Sequence, residues 1–375
     1  MNLCQDCGLS ATRSAGICSR CGGVCLRSEP WQPPLGQPQA TTPLVQSRIP
    51  WLNGSWLKFE GSQPSGSFKD RVMRLLVDEA VESGARGAVV ASSGNAAVAA
   101  ASHCARKGIP LLVIVPSMVP EPIIAMVEHR GATILRAGEG PAAAHHLAKL
   151  VSEEFGLPNL ASTFSASGCE WACRAIGHEI AAQADKLFDV DVLAASVSVG
   201  PVLLGAAHGI VEAGSGAPRM VAGQAAGCAP IARAFALGEA EVAPWEEPVR
   251  TKATSIADRL TGYAAEATFF LNEVRGSGGT VESAIDAELR EIRDLLAFHD
   301  GLDVELSSCA AVAALRSFGA TGPGAVCILT GSGVKETLSS ATRLGELSDI
   351  AEFFALSTGD SKAAGKVEKW IHEYQ

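Results

Sequence analysis

The sequence lacks three features that would direct the protein to a membrane, to secretion or to nucleic acid. No apolar run reaches the length of a membrane-spanning helix. The start, MNLCQDCGLS, lacks the basic residues and apolar stretch of a secretory signal. Acidic residues outnumber basic ones, and the formal charge of −10 disfavours nucleic acid or an anionic membrane as the main partner. We therefore expect a soluble cytoplasmic protein without either partner.

The composition provides for a large folded interior. The 375 residues suffice for more than one domain, and 47% of them are hydrophobic, which argues against disorder. Segments with helical spacing, such as RVMRLLVDEAVESG and NAAVAAASHCARKG, alternate with continuous apolar runs such as GAVVAS and IPLLVIVP. This alternation predicts an α/β fold in which helices cover both faces of parallel sheets. Ligands of such sheets bind outside the carboxyl ends of the strands.

Cysteine is concentrated at the start of the chain, where five of the eleven cysteines lie within the first 25 residues. Two CxxC pairs, each followed by glycine, are separated by ten residues. In a reducing compartment this spacing predicts a structural zinc ribbon over residues 1–28 rather than disulfides. The expected ligands are Cys4, Cys7, Cys18 and Cys21. The alternative is a degenerate segment without metal, and Cys25 is expected to be a bystander.

A lysine stands among small residues in the segment SGSFKDR, residues 65–71. Lys69 follows Phe68 there. A lysine held out of water loses part of its preference for the charged form, and its amine becomes available as a nucleophile. The alternative is a solvated surface lysine.

Three further turns follow predicted strands. ASSGNAA, residues 91–97, places Ser92, Ser93 and Asn95 at a helix start, where they either cap the helix or bind an anion. SVSVGPVLLGAAHG places Gly200 before another helix, which is either a phosphate seat or a plain turn. TGSG places the Thr330 hydroxyl at the end of the strand AVCIL, where it either faces a ligand or completes a turn.

Taken in order, these segments resemble the fold-type II pyridoxal-phosphate (PLP) enzymes, and within them the threonine synthases. SGSFKDR is similar to the lysine motif TGSFKDR, ASSGNAA to the SSGN turn, SVSVGPVLLG to the phosphate loop GNGTLLLG, and LTGSGVKE to LTGxGLKD. QAAGCAPIARAF, KATSIADRL, SGGTVESAIDAEL and VELSSCAAVAAL are also similar to family segments. The resemblance covers roughly residues 1–340. A Cys-rich front segment also occurs in some threonine synthases and in cysteate synthase.

The resemblance implies an architecture and a set of site residues. Residues 29–375 would form two doubly wound α/β subdomains with parallel sheets, the smaller at roughly 86–185. Lys69 would form the Schiff base and move protons at the substrate, Asn95 would bond the cofactor's phenolic oxygen, and Thr330 would contact the pyridine nitrogen. The cofactor-binding set would be Lys69, Ser93, Asn95, Val199, Gly200, Val202, Leu203 and Thr330. The substrate-binding set would be Ser67, Arg71, Ser92, Ser93 and Gly94.

The resemblance also implies a reaction. A neutral Thr330 partner leaves the pyridine nitrogen unprotonated, which favours elimination or replacement over transamination. The first expectation is a homodimeric carbon–oxygen lyase, threonine synthase-like, that converts O-phosphohomoserine to threonine. The alternatives are a β-replacement enzyme that uses phosphoserine, as cysteate synthase does, a serine or threonine dehydratase, and a non-enzymatic paralogue that uses its zinc ribbon for protein contacts.

Several positions depart from the family pattern. Val199, Pro201 and Val202 replace donors in the phosphate loop, and Ser255 stands where a glycine is expected. The arginine that helps threonine synthases hold the substrate phosphate is missing before CEWACRAIGHEI. We therefore expect another cation to bind an anionic or phosphorylated substrate. The candidates are Arg71, Arg174, Lys252 and Arg259. The alternatives are an ion pair for Arg71, with Asp70 or a neighbouring carboxylate, and a solvated helix position for Arg174.

Overall fold

The protein is described here from a computed structural model that covers residues 1–12, 16–33, 41–116, 121–136, 141–161, 163–166, 168–185 and 187–336. The chain divides into two compact units, Met1–Lys335 and Glu336–Gln375, and only the first residue of the second unit is described. The end of the predicted catalytic region, residues 337–375, thus lies outside the described residues.

Strands and helices alternate along most of the described chain. The strands are β1 Asn2–Cys4, β2 Ser10–Ala11, β3 Cys25–Arg27, β4 Leu44–Gln46, β5 Trp56–Phe59, β6 Ala88–Ala91, β7 Leu111–Val115, β8 Thr133–Arg136, β9 Val192–Ser196, β10 Arg219–Ala225, β11 Thr280–Ala284 and β12 Ala325–Leu329. The helices are α1 Lys69–Glu82, α2 Asn95–Lys107, α3 Glu121–Glu128, α4 Pro141–Phe155, α5 Gly168–Ala184, α6 Pro201–Glu212, α7 Pro230–Leu237, α8 Ala264–Gly276, α9 Asp286–Asp300 and α10 Cys309–Phe318. In the part of the chain that the structure describes, no helix is long and apolar enough to cross a membrane.

The strands form two parallel sheets and one small antiparallel sheet. The large sheet has the order β11-β10-β9-β12-β5-β4, and only β4 at its edge runs antiparallel to its neighbour. β6, β7 and β8 form a three-stranded parallel sheet inside the range predicted for the smaller subdomain. β2, β1 and β3 pair antiparallel near the start of the chain. The predicted α/β class with parallel sheets is therefore confirmed.

Burial explains why these segments are strands. β6, β9 and β12 are buried along their whole length, as expected for strands covered by helices on both faces. On the large sheet, α5 and α6 pack backbone against backbone because glycines face the contact. A Cβ atom at Gly209 would lie 2.0 Å from the carbonyl oxygen of Arg174, so no larger residue fits there.

The predicted functional turns all follow the carboxyl ends of strands. SGSFKDR follows β5, the SSGN turn follows β6, the turn with Gly200 follows β9, and TGSG follows β12. Two of these turns are joined directly, since Ser67 pairs with Gly331 and the amide of Phe68 donates to the carbonyl of Thr330 at 3.0 Å. The sheets therefore bring distant segments of the chain to one place.

A buried ion network holds the start of α1. The guanidinium of Arg71 donates to Glu60 at 2.7 Å and to Glu179 at 2.6 Å, and Arg71 is only 3% exposed. The amine of Lys58 donates to Glu179 at 2.8 Å. Burial acts to raise the pKa of Glu179, but the hydrogen bonds and charge of Arg71 outweigh it and hold that pKa below its usual value. This network fixes the chain two residues beyond Lys69.

The expected substrate contact of Arg71 is not supported by this environment. The ion-pair alternative is favoured, with Glu60 and Glu179 as the partners. Asp70 instead accepts hydrogen bonds from Ser65 and lies 2.8 Å from a ring nitrogen of His103.

We predict that Arg71→Met destabilises the protein by about 3–5 kcal/mol, because it leaves buried carboxylates without a counter-charge. Urea unfolding measures the change. Arg86→Met is the control, since Arg86 is exposed in the turn between α1 and β6, and a change within about 0.5 kcal/mol is expected there. Equal effects of the two substitutions would contradict the role of the network.

Candidate active site

Lys69 is the first residue of α1 and is half-buried. Its amine lies 4.6 Å from the centroid of the Phe68 ring. The charge of this amine also affects a cysteine in the first turn of α5. A hydrogen bond from Cys173 lowers the pKa of the Cys169 thiol, burial opposes this, and the positive charge of Lys69 lowers the pKa further. Lys69 thus faces the interior near the start of α5.

A buried carboxylate links the two polar residues predicted to contact the cofactor ring. The side-chain amide of Asn95 donates to Glu305 at 2.8 Å, and the hydroxyl of Thr330 donates to the other carboxylate oxygen at 3.3 Å. The hydroxyl of Ser255 donates to Glu305 at 3.1 Å. A Cβ atom at Gly331 would lie 2.5 Å from the carboxyl carbon of Glu305, so a larger residue would have to displace this carboxylate.

Both ends of the Asn95 amide are engaged. The amine of Lys335 donates to its oxygen and also to the carbonyl of Gly66 at 3.0 Å. Lys335 therefore connects the lysine turn to the start of α2.

The Thr330 hydroxyl belongs to a buried cluster of hydroxyl groups. It lies 3.1 Å from the Ser196 hydroxyl at the end of β9 and 3.0 Å from the Ser308 hydroxyl before α10. Ser308 also accepts a hydrogen bond from the amide of Gly331. Such a cluster offers a neutral partner to a ring nitrogen, with no charge of its own.

The predicted phosphate seat lies at the start of α6. Gly200 has a φ of 121°, and a Cβ atom there would lie 2.2 Å from the ring of Phe270. Pro201 begins the helix without an amide hydrogen. The amide of Leu203 points at the carbonyl of Gly200, so Val199, Gly200 and Val202 are better placed to supply donors. The positive end of the helix dipole adds to their attraction for an anion.

The residues predicted for the substrate lie beside these groups. Ser67 is fully buried, and its hydroxyl has no hydrogen-bond partner among the described residues. Ser92 accepts a hydrogen bond from the amide of Gly94 at 3.3 Å, and Ser93 is exposed. This turn leads directly into α2, whose N-terminus favours a carboxylate.

The chemistry of these groups fits PLP. The cofactor needs an amine, a donor for its phenolic oxygen, a partner for its ring nitrogen and a seat for its phosphate. Lys69, Asn95, Thr330 and the turn at Gly200 supply groups of these kinds from four strand ends. The unused hydroxyl of Ser67 next to the lysine turn is a further buried polar group that a ligand can satisfy.

The other predicted cations are engaged elsewhere or exposed. Arg174 is buried, not solvated, and pairs with Glu170 at 2.9 Å and with Glu212 at 2.6 Å. Arg259 donates to the backbone carbonyls of Glu246 and Glu247. Lys252 is exposed.

The four predicted zinc ligands come together. Their sulfur atoms lie within 4.8 Å of one another, in a group that could hold a metal ion. The backbone amides of Cys21 and Arg20 lower the pKa of Cys18 to about 6, which favours the thiolate that metals require. Cys25 lies outside this group, and burial raises its pKa to about 11.

The sequence motifs did not identify Glu305 or Lys335 as site residues. Glu305 stands in VELSSCAAVAAL, where a lone acidic residue precedes an Ala-rich helix, and it is 3% exposed. A charged residue inside an apolar segment requires hydrogen-bond or ion-pair partners when it is buried. This pattern could have identified Glu305 as a candidate site residue. Lys335 lies in the quoted LTGSGVKE segment, but its reach back to Asn95 depends on the tertiary fold.

Comparison with known proteins shows the family to which the chain belongs. Residues 36–331 match the family described as "Pyridoxal-phosphate dependent enzyme". The chain therefore belongs to this family, and the expected resemblance is confirmed. It is 30% identical to threonine synthase of Halalkalibacterium halodurans over 78% of this chain and 81% of that protein. It is 34% identical to threonine synthase of Methanosarcina acetivorans over 75% of this chain and 70% of that protein. The solved structure of threonine deaminase from T.th. is similar with a TM-score of 0.66 at 25% identity, over 80% of this chain and 94% of that one.

We predict that Gly200→Ala destabilises the protein because the new methyl group meets the Phe270 ring. Gly214→Ala is the matched control, since Gly214 also has a positive φ but open space around it. The extra loss at Gly200 should be about 1–3 kcal/mol, the usual range for overpacking, measured by urea unfolding. Equal losses at the two glycines would mean that the contact with Phe270 is not a constraint.

Proposed function

We propose that the protein is a PLP-dependent enzyme that performs elimination or replacement at the side chain of a small amino acid. The observation that carries this proposal is that Lys69, Asn95, Thr330 and the Gly200 turn all follow the carboxyl ends of strands, and that Glu305 joins Asn95 to Thr330. Membership of the family supports it.

Each group has a proposed role. PLP, when bound, withdraws electrons from the amino acid's Cα and so makes its proton removable. The amine of Lys69 carries the cofactor and moves protons at the substrate. Asn95 donates to the phenolic oxygen, Thr330 contacts the ring nitrogen, and the backbone around Gly200 holds the phosphate.

The substrate is proposed to bind beside the lysine. Ser67, Ser92, Ser93 and Gly94 supply hydroxyl groups and backbone amides near the start of α2. These donors suit the carboxylate that all amino acids share. Arg71 is left out of this set because its guanidinium is buried between Glu60 and Glu179.

Conversion of O-phosphohomoserine to threonine is the first candidate reaction, which makes the protein a carbon–oxygen lyase. The two threonine synthases at 30% and 34% identity support it. The homodimer and the cytoplasmic location expected from the sequence stay predictions.

A dehydratase reaction on an unphosphorylated serine or threonine is the second candidate, and β-replacement on phosphoserine is a further alternative. The observation that favours the dehydratase is the state of the cations expected to hold a phosphate. Arg71 and Arg174 are buried in ion pairs, and Arg259 binds backbone carbonyls.

The reaction class is tested by titrating the purified protein with amino acids and their O-phospho esters. Binding of a substrate should change the visible absorbance of the cofactor. The proposed function fails if no amino acid changes the spectrum.

We predict that Lys69→Ala abolishes the visible absorbance of the purified protein, because only a lysine amine can link the cofactor covalently. Lys107→Ala is the control, since Lys107 pairs with Asp78 at the end of α2. An unchanged spectrum in Lys69→Ala would locate the cofactor elsewhere.

We predict about one zinc ion per chain, held by the four sulfur atoms near the N-terminus. The double substitution Cys4→Ser and Cys21→Ser should remove it, because two thiolates cannot complete a tetrahedral site. Cys25→Ser should retain it, since Cys25 lies outside the group. Metal analysis measures the zinc content of the wild type, the double variant and Cys25→Ser. Zinc that persists in the double variant would refute the assignment.

A further inference from the structure

The segment before α5 carries no cation in its described residues, 163–166 and Gly168. The resemblance to threonine synthases implies an arginine in this neighbourhood that holds the substrate phosphate. Here the first turns of α8 pack against it instead, with the rings of Phe164 and Phe269 in an edge contact at 5.5 Å. The side chains of α8 therefore contribute to the electrostatic environment of the segment before α5.

Glu266, in the first turn of α8, is the acidic residue buried there. It is 4% exposed, and one of its carboxyl oxygens has no hydrogen-bond partner among the described residues. Burial raises the pKa of Glu266 to about 7, although the Thr163 hydroxyl and the amides of Phe164 and Ser165 act in the opposite direction. A buried polar atom without a hydrogen-bond partner destabilises the fold unless a ligand supplies that hydrogen bond.

Two observations place Glu266 near the candidate active site. The Cys169 thiol is influenced by the charge of Lys69 and by the charge of Glu266, so both groups lie near the start of α5. One turn further along α8, Phe270 packs against Gly200 in the predicted phosphate seat. Glu266 therefore lies near both the lysine and the seat.

The groups around Glu266 add further negative charge. Asp258 accepts hydrogen bonds from the Tyr263 hydroxyl at 2.6 Å and raises the pKa of Glu266. Burial holds the pKa of His145, whose ring lies 6.3 Å from that of Tyr263, below its usual value and so favours the neutral ring. Lys69 supplies a positive charge in this region, since its charge and that of Glu266 both act on the Cys169 thiol.

We propose that Glu266 is a specificity-determining residue that selects an uncharged, hydroxyl-bearing amino-acid side chain and rejects a phosphate ester. This proposal rests on the proposed function and chooses between its two candidate substrates. A carboxyl oxygen without a partner can exchange a hydrogen bond with a hydroxyl group. A phosphate dianion requires cations or amide donors and is repelled by a carboxylate.

The selection depends on pH in a defined direction. Below about pH 7 the Glu266 carboxyl is neutral, and above it the carboxyl is ionised. Rejection of a phosphate ester should therefore strengthen as the pH rises through this value. Because burial raises the pKa of Glu266 from 4.5 to about 7 in the folded state, the wild-type protein should also lose stability as the pH rises from about 4.5 to about 7.

The test uses the holoenzyme and follows the cofactor's absorbance while serine, threonine, O-phosphoserine or O-phosphohomoserine is added. Wild type should bind the free amino acids more tightly than the esters. Glu266→Gln should reduce this preference by about tenfold above pH 7, the effect of removing one nearby like charge. Glu273→Gln, the same change further along α8, should leave the preference as it was.

A second measurement needs no cofactor. Glu266→Gln should raise the thermal midpoint relative to wild type above pH 7 and lose this advantage in mild acid, where both side chains are neutral. A difference that does not change with pH would overturn the proposal. So would a wild-type preference for the esters, or a preference that Glu266→Gln leaves unchanged. If no amino acid alters the spectrum, the proposed function fails and the specificity proposal fails with it. Thermal midpoints that still behave as expected would then show only that Glu266 is a buried acid with a raised pKa.

Discussion

The buried ion network around Arg71 is the constraint on which the site depends. Buried ion pairs between a guanidinium and two carboxylates are favourable only when their geometry is fixed, so the network leaves the start of α1 little freedom. Lys69 lies two residues before Arg71, so the network also restricts the backbone at Lys69. The network draws on the chain before α1 and on α5, and thereby also holds the helix whose first turn borders the lysine.

Parallel strands supply the second part of the arrangement. Because the strands of a parallel sheet end on the same edge, the turns after β5, β9 and β12 meet although they are far apart in sequence. The pairing of Ser67 with Gly331 joins two of these turns. Glu305 then links Asn95, from the smaller sheet, to Thr330 at the end of β12. The lysine turn, the Asn95 amide and the Thr330 hydroxyl are thus connected by hydrogen bonds.

The sequence predicted the features that depend on local pattern. Continuous apolar runs identified β6, β9 and β12, whereas Lys69 and Asn95 became candidates through the resemblance to a known family. It could not predict which charges meet across the fold. The partner of Arg71 in α5 lies 108 residues away, and Glu266 reaches the segment before α5 only through the packing of α8. Glu305 was visible as a lone acid, but its role depends on two strand ends that meet only in the folded protein.

The central claim is that the amine of Lys69 carries PLP. Reduction of the purified protein with borohydride makes the link between cofactor and lysine permanent, and mass spectrometry of the digested protein then identifies the modified residue. The account predicts the cofactor's mass on the peptide that contains Lys69. Lys335 is the informative alternative, because its amine also lies at the Asn95 side chain. Modification of Lys335, or of no lysine in a protein loaded with cofactor, would contradict the account.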